Sequence, residues 1–117
     1  MTDAIVWKLV DRAEWDAARK VGAYAGSAVD LADGYIHLST TDQLAETARR
    51  HYRGRTGLLL VEVDLRGLDP VWEASRGGAL FPHLYRPLPF TAARSEQGLS
   101  VDDDGLMRFD DGATGWG

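Results

Sequence analysis

The seven residues Leu58 to Asp64, Leu-Leu-Leu-Val-Glu-Val-Asp, constrain the fold more than any other stretch. A run that is apolar at almost every position offers no face to solvent. It therefore predicts a central strand covered on both sides. The rest of the chain has to supply neighbouring strands and two layers of cover. Ala4 to Val10, β-branched and apolar with a single lysine, suits a first strand that is also largely buried.

Asp11 followed by Glu14 resembles a capping box, Trp15, Ala18 and Arg19 fall at helical spacing, and Gly22 supplies a stop. This pattern predicts a helix over 12–20. Ala23 to Gly34 holds two Gly, a Ser and two Asp, which reads as a long loop able to lie across a cleft. Tyr35 to Leu38 follows as a short strand. Thr40 with Gln43 opens a second helix to Arg53, which has Leu44, Ala48 and His51 or Tyr52 on one side and Gly54 after it. Beyond the central strand, Val71–Ala74, Phe81–Tyr85 and Phe90–Arg94 read as short strands broken by Pro70, Gly77-Gly78 and Pro87/Pro89. Leu99–Val101 and Leu106–Phe109, joined by Asp-Asp-Asp-Gly, form a terminal hairpin. Two helices early and most strands late predict an α+β domain over 1–111 with a mixed or antiparallel sheet, and 112–117 as a flexible tail.

Composition narrows the function classes. A chain of 117 residues, 44% hydrophobic and 26% charged, is expected to be one soluble globular domain. Without cysteine there is no disulfide framework, thiolate metal site or thiol nucleophile. The N-terminus has no basic region followed by a long apolar stretch, and no run is long enough to cross a bilayer, so a cytoplasmic protein is expected. The net charge of −5 is concentrated near the C-terminus, in Asp102, Asp103, Asp104, Asp110 and Asp111. The remainder is close to neutral and lacks the basic excess that nucleic-acid binding needs. The sequence carries no signal for an oligomeric state.

No dinucleotide fingerprint, phosphate loop or Gly-x-Ser-x-Gly elbow occurs. What stands out is a set of polar residues inside apolar strands: Lys8, His37 with Ser39 and Thr40, Glu62, Glu73, and His83 with Tyr85. Buried polar groups must be paired, so such residues answer to each other or to a ligand. His37 ends a strand at a helix N-terminus, where free backbone N–H groups favour an anion such as phosphate, although Ser39 and Thr40 also suit simple capping. His83 and Tyr85, two apart in a strand, share a face. Glu73 is a candidate general base or ribose-binding group. His37, His83 and Glu73 lack metal-ligand spacing, so no metal site is assigned, and a metal-assisted hydrolase stays an alternative. Arg49, Arg50, Arg53 and Arg55 read as a solvated face, and Trp7, Trp15 and Trp72 as core.

Ile5-Val6-Trp7-Lys8-Leu9, Gly34-Tyr35-Ile36-His37-Leu38-Ser39, Glu73 and Phe81-Pro82-His83-Leu84-Tyr85-Arg86-Pro87-Leu88 resemble the successive motifs of the domain of unknown function 952 family, over roughly residues 4–95. That family is grouped with the ADP-ribosyltransferase-like fold. The resemblance implies a split β-sheet with two helices in the N-terminal half and a cleft for NAD. Taken with the residue reading above, it makes His37, Glu73 and His83 the expected catalytic residues and Lys8, Ser39, Thr40 and Tyr85 the expected cofactor-binding ones. His37 would pack against nicotinamide and Lys8 would bond the ribose. The expected function is binding of NAD or a related ribosyl-phosphate, with transferase- or glycohydrolase-like activity. A non-catalytic small-molecule-binding module is a further alternative.

Overall fold

The computed structural model describes residues 4–112, apart from the side chain of Arg76. In chain order the elements are β1 (Ile5–Asp11), α1 (Arg12–Val21), β2 (Ala23–Tyr24), α2 (Ala28–Asp33), β3 (Ile36–His37), α3 (Thr41–His51), β4 (Leu58–Asp64), β5 (Val71–Ala74), β6 (Leu80–Leu84), β7 (Leu88–Pro89), β8 (Ala93–Val101) and β9 (Met107–Phe109). This is a mixed α+β architecture in which every strand pairing is antiparallel.

The Leu58–Asp64 run becomes an inner strand, with sheet order β1-β4-β8-β9. Because side chains alternate along a strand, Leu59, Val61 and Val63 enter one core with Val6, Trp15, Tyr24, Ile36 and Leu84. Leu58 and Leu60 enter a second core with Leu9, Leu44, Ala48, Leu99 and Met107. A second sheet, β3-β6-β5, meets the free edge of β1. There Trp7 and Ser39 exchange both backbone hydrogen bonds, at 2.8 and 3.0 Å. β2 and β7 form a small ladder of their own.

Three expectations need correction. The segment read as a loop over 23–34 contains β2 and a third helix, so the N-terminal half has three helices and not two. Helix α2 is only six residues long and owes its limits to local chemistry. Ser27 and Asp30 form a reciprocal capping box, and Gly34 stops the helix at φ +89°. The strand expected over 90–94 is instead a 3₁₀ turn, Phe90–Ala92, after Pro89. It brings Phe90 edge-on to Trp15 at 4.6 Å, and β8 then runs from Ala93 to Val101 as one long strand. Helix α3 ends at His51, with Tyr52 as its cap. Of the expected tail, 113–117 lies outside the described residues. No helix among the described residues is long and apolar enough to cross a membrane.

Candidate functional site

The register of the second sheet places the polar residues on one surface. His37 lies opposite His83, His83 opposite Val71, and Glu73 opposite Phe81. Directly opposed residues share a face, as do residues two apart in a strand. His37, His83 and Glu73 therefore project from the same side, and contacts with them put the rings of Tyr35 and Tyr85 there too. The other side carries Ile36, Leu84 and Trp72 into the first core. A two-residue periodicity thus sorts anchors from working side chains.

His37 is held from beneath. Its Nδ1 lies 2.6 Å from Asp30 Oδ1, and its backbone N–H donates to the same oxygen at 3.2 Å. Asp30 Oδ2 lies 2.9 Å from the Lys8 ammonium; Asp30 is 2% exposed and Lys8 4%. Burial pushes the Asp30 carboxyl up, but the His37 hydrogen bond and the Lys8 charge outweigh it and hold the group well below the usual carboxylate range. Burial draws Lys8 below its ordinary value, although Asp30 pulls the other way. The outer nitrogen of His37, Nε2, meets Asp33 Oδ2 at 2.9 Å at the end of α2. A neutral ring donates to one of these two carboxylates, a doubly protonated ring to both.

The second half repeats the arrangement. His83 Nδ1 lies 2.8 Å from Glu73 Oε1, which also accepts from the Tyr85 hydroxyl at 2.5 Å. The Tyr85 and His83 hydrogen bonds hold Glu73 below its ordinary value, and Tyr85 is pushed up to about 12, chiefly by its bond to Glu73. The two halves touch through Tyr35. Its ring stacks on His83 at 4.1 Å and leans on His37 at 4.6 Å, and the imidazoles are 5.6 Å apart between centroids.

The structure thus gathers His37, His83, Glu73 and Tyr85, with Lys8 beneath them spent on Asp30. Ser39 and Thr40 face elsewhere. The Ser39 hydroxyl pairs with Thr47 at 2.9 Å, and Thr40 makes a reciprocal capping box with Gln43 at the start of α3. Their oxygens serve the helix. Arg49 and Arg50 pair with Glu46 on the exposed side of α3. Trp15 is fully buried, and Trp7 and Trp72 pack partly buried against the two cores. Among the described residues no group of three His, Asp or Glu is disposed to hold a metal. Sequence reasoning missed Asp30, Asp33 and Tyr35. Ser27 and Asp30 stand at capping-box spacing, and Tyr35 precedes His37 by the same two residues that join His83 to Tyr85, so both signals were present. An open apolar groove between α1 and α2, lined by Ala17, Val21, Tyr24 and Leu31 among others, contains none of the candidate catalytic or cofactor-binding residues.

With this geometry in place, the family model described as "Protein of unknown function (DUF952)" matches residues 9–95. The chain belongs to the DUF952 family. The DUF952 domain is similar to solved structures of CC0527 from Caulobacter crescentus. The crystal structure of a double methionine variant is 50% identical, with 88% of this chain and 92% of that one covered and a TM-score of 0.83. The crystal structure of CC0527 itself is 51% identical with the same coverage and a TM-score of 0.82. Its solution NMR structure is 51% identical, covers 88% and 90%, and has a TM-score of 0.76. No curated protein matches the chain.

Proposed function

We propose that this DUF952 domain binds NAD or a related ribosyl-phosphate on the face bearing Tyr35, His37, His83 and Tyr85, within an ADP-ribosyltransferase-like split sheet. The observation that supports this reading is the convergence of two imidazoles, each with a carboxylate at Nδ1, around the shared Tyr35 ring. The aromatic rings offer a stacking surface for a base, and the imidazoles and carboxylates offer partners for ribose hydroxyls. In the proposed reaction the glycosidic C–N bond breaks, its electron pair leaves with the base, and water forms a C–O bond to the oxocarbenium-like ribosyl group and releases a proton to solvent. Glu73, kept ionised by Tyr85 and His83, opposes the positive charge that develops on the sugar.

The test is a titration with NAD and ADP-ribose that follows the imidazole resonances of His37 and His83. Both should shift in the parent, and His37→Ala should weaken binding. Unchanged resonances at millimolar ligand would remove the proposal. A non-catalytic binding module is the second reading, favoured because Asp30, Asp33 and Glu73 each already face an imidazole nitrogen. Binding of NAD without release of its base would select it.

A further inference from the structure

The charge on this face favours the cationic part of a ligand over its phosphates. Asp33 stands beyond His37 and Glu73 beyond His83, with side chains 46% and 39% exposed. Tyr35 and Tyr85 lie between, with ring centroids 5.1 Å apart, and Tyr85 is 53% exposed. Among the described residues, the Lys8 ammonium is buried on Asp30, and Arg86, next to Tyr85 in the chain, donates to the Gly67 carbonyl at 3.2 Å. Exposed aromatic rings and carboxylates together attract positive charge.

We infer that the face seats a nitrogen cation without N–H groups, a quaternary ammonium or a pyridinium, against Tyr35 and Tyr85 between Asp33 and Glu73. This rests on the reading of the face as a ligand site and adds the charge of the group it selects. A cation of this kind has no hydrogen bond to donate, so it leaves the His37–Asp33 and His83–Glu73 contacts intact while gaining from their negative charge. It is also more weakly hydrated than a primary ammonium and gives up less on reaching the rings. The phenols report the same field. Tyr35 is raised by burial and then by Asp33, Glu73 and Asp30, and Tyr85 is raised by Glu73.

Two probe pairs test the inference by calorimetry and by the His37 and His83 resonances: choline against its uncharged isostere 3,3-dimethyl-1-butanol, and oxidised against reduced NAD. A pair selective for charge should favour the cation by about tenfold. The variant D33N/E73Q should bring that ratio close to one while its far-UV spectrum stays that of the parent. Tyr85→Leu, at an exposed position, should lower the ratio independently. Selectivity in the choline pair assigns the site to free quaternary ammonium compounds, and selectivity confined to the NAD pair assigns it to the pyridinium end of NAD. Equal binding of both NAD forms with no choline preference overturns the cation inference and leaves ribosyl-phosphate binding standing. Choline selectivity with neither NAD form bound supports the cation and overturns the ribosyl-phosphate reading. No binding by any probe overturns both.

Discussion

Asp30 ties His37 to the buried Lys8 and to the start of α2. Its Oδ1 meets the backbone N–H and Nδ1 of His37, its Oδ2 accepts from the Ser27 N–H at 2.9 Å, and both oxygens face Lys8. Asp30→Ala leaves the Lys8 ammonium buried without a partner, so it should cost about 3–5 kcal/mol in urea unfolding. Lys8→Met in the same chain should recover part of that loss. The acid limb of stability has a definite sign. The folded Asp30 carboxyl lies below its unfolded value, so its contribution is complete above about pH 4. As the pH falls below that, the unfolded state takes up a proton first and stability declines towards the folded value. Asp30→Asn should flatten this part of the profile, and an unchanged slope would assign it to other carboxylates. His37, His83, Glu73 and Tyr85 were legible in the sequence because a polar residue inside an apolar strand is conspicuous. Asp30 was not: its capping-box spacing from Ser27 marks the start of a helix, and only its long-range partner Lys8 marks it as a buried anchor of the site.

At the level of elements, α2 shows why a short helix escapes a periodicity search. Six residues make too few turns to display a stripe, and isolated helices of this length are unstable. Its stability comes from the capping box and from the single buried anchor Asp30, which is a tertiary contact. Gly26 controls how closely this element approaches. It has φ +115°, and a Cβ there would lie 2.7 Å from Asp30 Cβ. Gly26→Ala should therefore cost about 1–3 kcal/mol and move the His37 resonances, because displacing Asp30 displaces the ring it holds. A destabilised variant with native His37 shifts would separate the helix from the site. Helix α3 was legible from its ends, since Thr40 and Gln43 state its start within four residues. Thr40→Ala should cost about 1 kcal/mol and leave His37 and His83 where they are, since the Thr40 oxygen caps α3 and does not face the site.

Across the whole molecule, the strand orders were the least legible part. The run at Leu58–Asp64 reads as an inner strand, yet nothing local says that β8 will lie on one side of it and β1 on the other, or that Trp7 will bridge to Ser39. Those pairings depend on which apolar faces find each other. They also couple the site to a core it does not touch. Leu60 enters the second core, with Leu44 and Leu99, while Val61, its neighbour in β4, enters the first core with Ile36 and Leu84, which carry the two histidines on their reverse face. Leu60→Ala should lose about 2–5 kcal/mol. If β4 makes the two cores one cooperative unit, urea unfolding stays a single transition, and the slowly exchanging amides of β6 lose as much protection as those of β8. Undiminished protection at Leu84 beside reduced protection at Leu99 would mean that the sheet carrying His37 and His83 holds together without the second core, so that damage on the far side of β4 would weaken the fold and spare the site.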